Sequence, residues 1–538
     1  MAAFPVVACG GSSSEDTSGG PSGDDSGAGN GDGAGSGGDG DGGDGSAKKK
    51  GTAIVIGTGF GGAVAALRLG EAGVQTIVLE RGKRWDIKPT NDTFCENFSP
   101  DGRAAWLSTK TVAPVAPFGQ FNIDKYVGIL QRIDYDNISI YMGAGVGGGS
   151  LPYGGMTVQP TEENFKKVFP SEIDYAELAA TYYPRVKKMI NAQTIPDDLL
   201  STDYYKFSRV FLEQAKKAGL ETMMVDQAYD WDIIRKERDG QVPKSALAGQ
   251  LLYGNNNGAK NSLDHNYIPA AEKTGNVTLM VLHQVTDISQ APDGRYEVDI
   301  DRIDETGTVV EKLTLTCDYL FLAAGSFHTT KLLLKAKAKG TLTKLNNEIG
   351  KGWGTNGNAM FRRWGIGQLT GIMQATPPVV AIKDFGNTVA PTLVECAQYP
   401  DGTDSSSLMS LACVLSPARG MFSYDKDKDD LVLDWPQANN KIPRDAANDV
   451  AGRLNDANLG FTQTVTVPDH GDLTYHPLGG AVLGKACDYF GRVAGYTNLY
   501  VVDGAMIPGS SACANPSWTI AAIAERNMER LIKDDVIV

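Results

Sequence analysis

Gly57, Gly59 and Gly62 stand at G-x-G-x-x-G spacing in Gly57-Thr58-Gly59-Phe60-Gly61-Gly62. In such a turn the first glycine allows a tight bend, the second lets backbone approach a pyrophosphate, and the third lets a helix pack close to a strand. Phe60 and Gly61 open that helix, whose first amides face the phosphates. Glu80 lies where an acid accepts hydrogen bonds from an adenosine ribose. The set predicts a bound dinucleotide and by itself does not choose between NAD and FAD.

Two later stretches favour FAD. Gly143, Gly145, Gly147, Gly148 and Gly149, followed by Ser150, supply more glycine than a simple turn requires, as expected where backbone lies flat against a ring or phosphates. Near the C-terminus, Asp503-Gly504 ends a strand, and Asn515-Pro516 starts a helix with Asn515 as its cap and Pro516 at an early helical position. A helix N-terminus aimed at a flavin ring stabilises the negative charge that develops as the ring accepts hydride. Elsewhere, Glu395 is an isolated acid in the apolar run Leu393-Val394-Glu395-Cys396-Ala397. Burying it is costly unless its pKa rises or it finds donors, which makes it unusual in such a run; a salt-bridged or edge-strand glutamate is the structural alternative.

These residues need a particular scaffold. The run Thr52-Ala53-Ile54-Val55-Ile56 reads as a buried parallel strand, residues 63–69 as a small-residue helix, and Thr76-Ile77-Val78-Leu79 as the next strand. Another strand precedes Asp503, and the helix from Pro516 runs to about residue 531. The chain is therefore expected to be α/β (α+β overall), with a doubly wound dinucleotide domain from residues 51–90, 266–345 and 475–538. Residues 91–265 and 346–474 lack the strand, glycine, helix rhythm and are assigned to a discontinuous substrate domain interleaved with it.

Composition narrows the function further. Eight of the 64 acidic residues fall between residues 10 and 47 with no base among them, leaving 56 acids against 50 Lys and Arg in the rest. That balance, without a basic stripe beyond Lys48-Lys49-Lys50, argues against nucleic-acid binding. Neither a run long enough to cross a bilayer nor a metal-ligand spacing among the seven cysteines and five histidines is present, so no metal is expected. Residues 1–50 carry address information. Val6-Val7-Ala8-Cys9 before Gly10-Gly11 resembles a clipped bacterial lipoprotein processing site, and a Gly, Ser and Asp tether follows. An exported protein is expected, secreted or lipid-anchored to the cell envelope through Cys9.

Further stretches fall in a recognisable order: Val242-Pro243-Lys244-Ser245-Ala246-Leu247, Tyr253-Gly254-Asn255-Asn256, residues 319–326, Gly352-Trp353-Gly354-Thr355-Asn356-Gly357-Asn358 and His476-Pro477-Leu478-Gly479-Gly480. With the glycine turn and Glu80, they resemble the bacterial cholesterol oxidases of the non-covalent FAD type, in the glucose-methanol-choline oxidoreductase superfamily. The resemblance runs from about residue 52 to 535. It implies a mainly antiparallel sheet roofing an apolar substrate cavity, and oxidation of a 3β-hydroxysterol to the ketone with O2 as acceptor and H2O2 as product. His476 matches the catalytic histidine that orients and deprotonates the hydroxyl, Asn515 the paired asparagine near the flavin, and Glu395 the base that moves the double bond from the 5,6 to the 4,5 position. Asn358 matches a position near the substrate hydroxyl. Transient contact with a membrane surface and a monomeric state are also expected. Departures at Leu393, Cys396, Ala481 and residues 365–387 are expected to touch the cavity wall. They motivate two alternatives: a dehydrogenase of another steroid or terpenoid alcohol with a non-oxygen acceptor, and an inactive sterol-binding carrier.

Overall fold

The run Ala53–Ile56 becomes β1, buried at all four positions, as a parallel strand covered on both faces requires. Its turn leads into α1 (Phe60–Glu71) and β2 (Thr76–Glu80). A long excursion then carries the hairpin β3 (Leu130–Tyr135) and β4 (Ile138–Gly143) and the short β5 (Thr222–Met224). The chain returns through β6 (Val277–Val281), β7 (Tyr319–Leu322) and α2 (Gly325–Lys339). A second excursion supplies β8 (Asn358–Trp364), β9 (Val380–Asp384), β10 (Thr392–Ala397) and β11 (Ser407–Val414). It continues through α3 (Lys441–Asn458), β12 (Phe461–Val465) and β13 (Asp472–Thr474), and β14 (Leu499–Val501) and α4 (Pro516–Leu531) follow. This computed structural model describes residues 51–90, 92–112, 120–399, 404 and 406–536. Cys9 and the tether expected after it lie outside the described residues.

Two sheets position everything that matters. The first is all parallel, in the order β14-β7-β1-β2-β6. Its order reverses beside β1, so a crevice opens outside the carboxyl ends of β1 and β7, the usual ligand position in such sheets. α1 and α4 pack together, joined by Arg68 and the buried Glu525 through two 2.7 Å bonds. The second sheet is antiparallel, in the order β12-β8-β11-β10-β9-β5.

Strand alternation gives the second sheet two different faces. Ala359, Phe361, Val394, Cys396, Leu408 and Ala412 point to a core shared with Ala446, Ala447, Val450, Ala451 and Leu454 of α3. Met360, Glu395, Ala397, Met409 and Leu411, from the same three strands, line a cavity on the other side. A third, smaller sheet, β13-β4-β3, sets the glycine loop after β4 beside the segment after β13 that carries His476. Among the described residues no helix is long and apolar enough to cross a membrane. Cys95, Cys317, Cys396, Cys413, Cys487 and Cys513 are buried and free.

Candidate active site

The cavity encloses about 670 Å³ and reaches from the carboxyl ends of the parallel strands to the inner face of the antiparallel sheet. Gly57, Gly59, Phe60, Gly61, Glu80, Gly143, Gly148, Gly149, Asp503, Gly504, Asn515 and Pro516 all line it. Gly57 adopts φ +103°, and a Cβ on Gly62 would meet the Gly57 carbonyl oxygen at 2.0 Å, so the turn and the start of α1 are locked together at a distance only glycine permits. Gly59 and Gly149 are different: nothing lies within 4 Å of where their Cβ atoms would stand. Both leave backbone open to the cavity. A side chain at Gly59 would fill that space without disturbing the core, so Gly59→Val is expected to fold but purify without flavin, as read from the ratio of visible to ultraviolet absorbance. A yellow Gly59→Val protein would show that this turn does not cradle the cofactor.

Several expected cofactor residues act one step back. Gly62, Gly145, Gly147 and Ser150 do not line the cavity. Gly147 N donates to Thr58 Oγ1 at 3.0 Å, while Ser150 Oγ donates to Gly147 O at 2.7 Å and accepts from Leu263 N at 2.9 Å. They shape the loop that Gly148 and Gly149 present. Glu80 lines the cavity, yet its oxygens accept from Thr58 N (3.2 Å), Thr58 Oγ1 (2.6 Å), Gly82 N (2.9 Å) and Gly145 N (3.3 Å). A carboxylate offers roughly four acceptor sites. Glu80 therefore also clamps the two glycine loops, and a ribose hydroxyl bound to it would take the place of the long Gly145 contact. Asp503 is similar, accepting from Gly325 N, Thr329 Oγ1 and Ala505 N at 2.6–2.8 Å, and burial raises its pKa to about 6.

The reacting end brings His476, Asn515 and Glu395 to one cavity, with Asn358 directly behind His476. Asn358 Oδ1 accepts from Thr474 Oγ1 (3.0 Å) and from the Tyr475 amide (3.3 Å), which fixes its amide orientation. Asn358 Nδ2 then donates to His476 Nδ1 at 3.0 Å. An imidazole that accepts at Nδ1 carries its proton on Nε2. Burial lowers the ring's pKa to about 4, so it is neutral at ordinary pH and presents an N–H. In this arrangement the ring donates through Nε2, whereas the expectation gives His476 the part of deprotonating the hydroxyl. Asn515 occupies the N-cap position of α4, but its side chain makes no capping bond, contrary to the capping expectation. It donates instead to Glu395, and its Oδ1 has no partner. Glu395 is only 3% exposed, with one oxygen unpartnered, and burial raises its pKa to about 8 against the opposing pull of Asn515. Among the described residues it forms no salt bridge, and it sits in the interior of the sheet, between β9 and β11.

Three family models match the chain: GMC oxidoreductase over residues 51–351 and again over 439–524, and GMC oxidoreductase, C-terminal, over 356–466. The chain belongs to the GMC oxidoreductase family. Among relatives, a cholesterol oxidase of Mycobacterium tuberculosis is 26% identical over 559 residues, covering 88% of this chain and 89% of that protein. A cholesterol oxidase of Acinetobacter baumannii is 24% identical over 552 residues, covering 88% and 93%. Solved structures share the fold. Pyridoxine 4-oxidase from Mesorbium loti aligns with a TM-score of 0.59 at 14% identity, over 89% of this chain and 98% of that one. A fungal aryl-alcohol oxidase aligns with a TM-score of 0.60 at 13% identity, over 90% and 99%. Family membership makes this GMC oxidoreductase a flavin-dependent alcohol oxidoreductase, with FAD the typical cofactor.

The residues of this GMC oxidoreductase fit such a cofactor. The open backbone at Gly59 and Gly149 suits phosphates, and the unpartnered Asn515 Oδ1 and Ser517 Oγ at the first turn of α4 await a polar ligand. Sequence reasoning missed Arg81. It lies half-buried over Trp106 at 4.7 Å, donates to His328 Nε2 (2.9 Å) and Gln131 Oε1 (2.8 Å), and has its pKa lowered by desolvation to about 10. Among the described residues it makes no salt bridge, the charge of neighbouring Glu80 offsets only part of its burial, and the phosphates of a bound FAD would add countercharge there. A charged residue directly after an apolar strand and an acid was the available signal. The apolar wall of Met156, Met360, Met409 and Leu411 was also missed, because strand pairing selects it. Leu393, Cys396 and Ala481 do not line the cavity, and of residues 365–387 Pro378 alone does. The departures expected at the cavity wall therefore lie mostly in the packing behind it.

Proposed function

We propose that this chain oxidises the 3β-hydroxyl of a cholesterol-like sterol to the ketone, with FAD held without a covalent link and O2 as acceptor giving H2O2, and then moves the 5,6 double bond to the 4,5 position. The observation that carries this reading is Glu395, a carboxyl with one unpartnered oxygen on an apolar strand face beside Asn515. Holding the hydroxyl for oxidation engages His476 and Asn515 and leaves this carboxyl without a part. Allylic proton transfer requires a proton carrier. The names of the bacterial relatives add support.

The bound flavin supplies the two-electron acceptor. A hydroxyl needs one donor and one acceptor to be held, and the site offers both: the Nε2–H of His476 for its oxygen and Oδ1 of Asn515 for its proton. In the oxidation the carbon-bound hydrogen leaves as hydride and the hydroxyl proton passes to water. In the second step ionised Glu395 takes a proton from C4 and returns it at C6, leaving a conjugated enone. The reading includes export, anchoring through Cys9, a monomeric state and transient contact with a membrane surface. Phe98 and Phe121, 48% and 37% exposed at the cavity rim, support that contact.

The deciding experiment adds cholesterol in air to the purified protein while following peroxide and the ultraviolet absorbance of a conjugated enone. Both signals are expected. Peroxide without enone removes the isomerisation. Flavin that cholesterol reduces but air reoxidises only over minutes replaces the oxidase by a dehydrogenase, and a yellow folded protein with neither signal removes the sterol.

A further inference from the structure

Asn356 and Asn358 stand two residues apart at the start of β8, separated by Gly357, where a Cβ would meet the Val414 carbonyl oxygen at 1.9 Å. Asn358 holds His476. Asn356 is fully buried, outside the lining of the cavity, and bonded to a different loop. Its Nδ2 donates to Ala514 O at 2.8 Å, the carbonyl directly before Asn515. Its Oδ1 accepts from Ser511 N (2.8 Å), while the single proton of Ser511 Oγ, 3.0 Å from that oxygen, has its shorter contact to Ala514 O at 2.6 Å. Within the span it bridges, Ala512 and Cys513 both adopt left-handed backbone, at φ +63° and +61°. Residues with a Cβ rarely take that conformation singly, and a consecutive pair persists only when the surroundings hold it. Between the amides sits Cys413 Sγ, 3.7 Å from Asn356 Nδ2, 3.6 Å from Asn358 Nδ2 and 3.9 Å from His476 Nδ1. Each amide thereby uses both of its N–H groups.

We propose that Asn356 is a positioning residue for alcohol oxidation: its amide holds the left-handed turn at residues 511–514 and so fixes Asn515, as Asn358 fixes His476, with the Cys413 thiol joining the two. The two groups that meet the alcohol lie far apart in sequence, after β13 and before α4. The Asn-Gly-Asn step places their supports two residues apart, Asn356 in the left-handed turn (φ +56°) that leads into β8 and Asn358 at its first position, so their relative position is set by one short segment. The inference rests on the reading of Asn515 and His476 as the groups that orient the hydroxyl.

A double-variant cycle on the full holoenzyme tests it. Asn356→Asp keeps the Oδ1 acceptor but turns an oxygen toward Ala514 O. Its rate of flavin reduction at saturating cholesterol without oxygen is expected to fall by about 10- to 100-fold, as a displacement on the order of 1 Å does. Flavin content and KM should hold. In an Asn515→Ala background the same substitution should change the rate by less than about 2-fold, because groups acting through one another do not add. Losses that multiply would overturn the proposal, since Asn356 would then act independently of Asn515. Should Asn356→Asp fail to fold, Asn356→Ala, which removes both ends of the bridge without adding a charge, goes through the same cycle, again expected to lose its effect in the Asn515→Ala background. Multiplying losses there overturn the proposal equally. If Asn515→Ala alone leaves the rate unchanged, the reading of the site fails first and the proposal falls with it. If cholesterol does not reduce wild-type flavin, the sterol reading fails instead, and the cycle is run with a simple alcohol that does reduce it.

Discussion

Glu395→Gln is expected to separate the two halves of the reaction: sterol oxidation continues, while the unconjugated 5-en-3-one accumulates in place of the conjugated product. Glutamine keeps the shape and the contact with Asn515 but has no proton to exchange. A positioned carboxylate contributes on the order of 10²–10⁴ to such a step, so enone formation should fall by that factor. The pH dependence of the native protein follows from the same residue. Its pKa is raised to about 8, so the carboxyl is mostly protonated at neutral pH and the form able to take the C4 proton is the minor one. Isomerisation should therefore climb as pH rises toward 8, close to tenfold per unit well below that value, and level off above it. Oxidation should not follow the same curve. Stopped-flow absorbance at the enone wavelength, set beside peroxide release from pH 5.5 to 9, resolves the two. Enone forming at an unchanged rate in Glu395→Gln would remove the residue from the mechanism.

What the sequence shows about this molecule divides along physical lines. The parallel sheet is legible because its signals are local: an apolar strand, a glycine turn and a small-residue helix are all read within about thirty consecutive residues, and steric limits at Gly57 and Gly62 admit no other reading. Glu395 is legible because a lone carboxylate in an apolar run conflicts with the cost of burial. Other features depend on pairing between distant segments and carry no local mark. Met360 opposite Leu411, and Glu395 opposite Leu411, become cavity wall through the register of β8, β10 and β11. Glu80 reads as a ribose acid from spacing alone, whereas its four protein donors come from the glycine turn, its own loop and the segment after β4. The same limit explains His476 and Asn515. The resemblance implies a base and residue type a cap, whereas the orientation of the Asn358 amide leaves the proton of His476 on Nε2 and the absent capping bond at α4 leaves Asn515 Oδ1 as an acceptor.

His476→Ala is expected to lower the rate of flavin reduction by about 10²–10³, the usual consequence of losing one donor aimed at developing oxygen charge, with the flavin retained. His476→Gln should recover part of that loss, since a glutamine amide also offers an N–H, whereas a residue acting as a base would not be replaced by an amide. The pH profile makes the distinction sharper. With its pKa lowered to about 4, the ring stays neutral at every pH above that, and its Nε2–H is present throughout the range in which the protein is handled. Protonation from Nδ1 would begin only as pH falls toward 4, and there it must break the bond from Asn358 Nδ2, because a protonated Nδ1 cannot accept. Flavin reduction by saturating sterol should accordingly be flat through pH 6–7, where an ordinary catalytic histidine titrates. An ionisation near 6.5 that disappears in His476→Gln would mean the imidazole does take the hydroxyl proton, in the opposite tautomer, with the Asn358 amide turned over to accept from it. That amide cannot turn without setting its Nδ2 donors against the Tyr475 amide, whose N–H is fixed by the backbone, so the structure favours the flat profile and a histidine that orients the alcohol by donation.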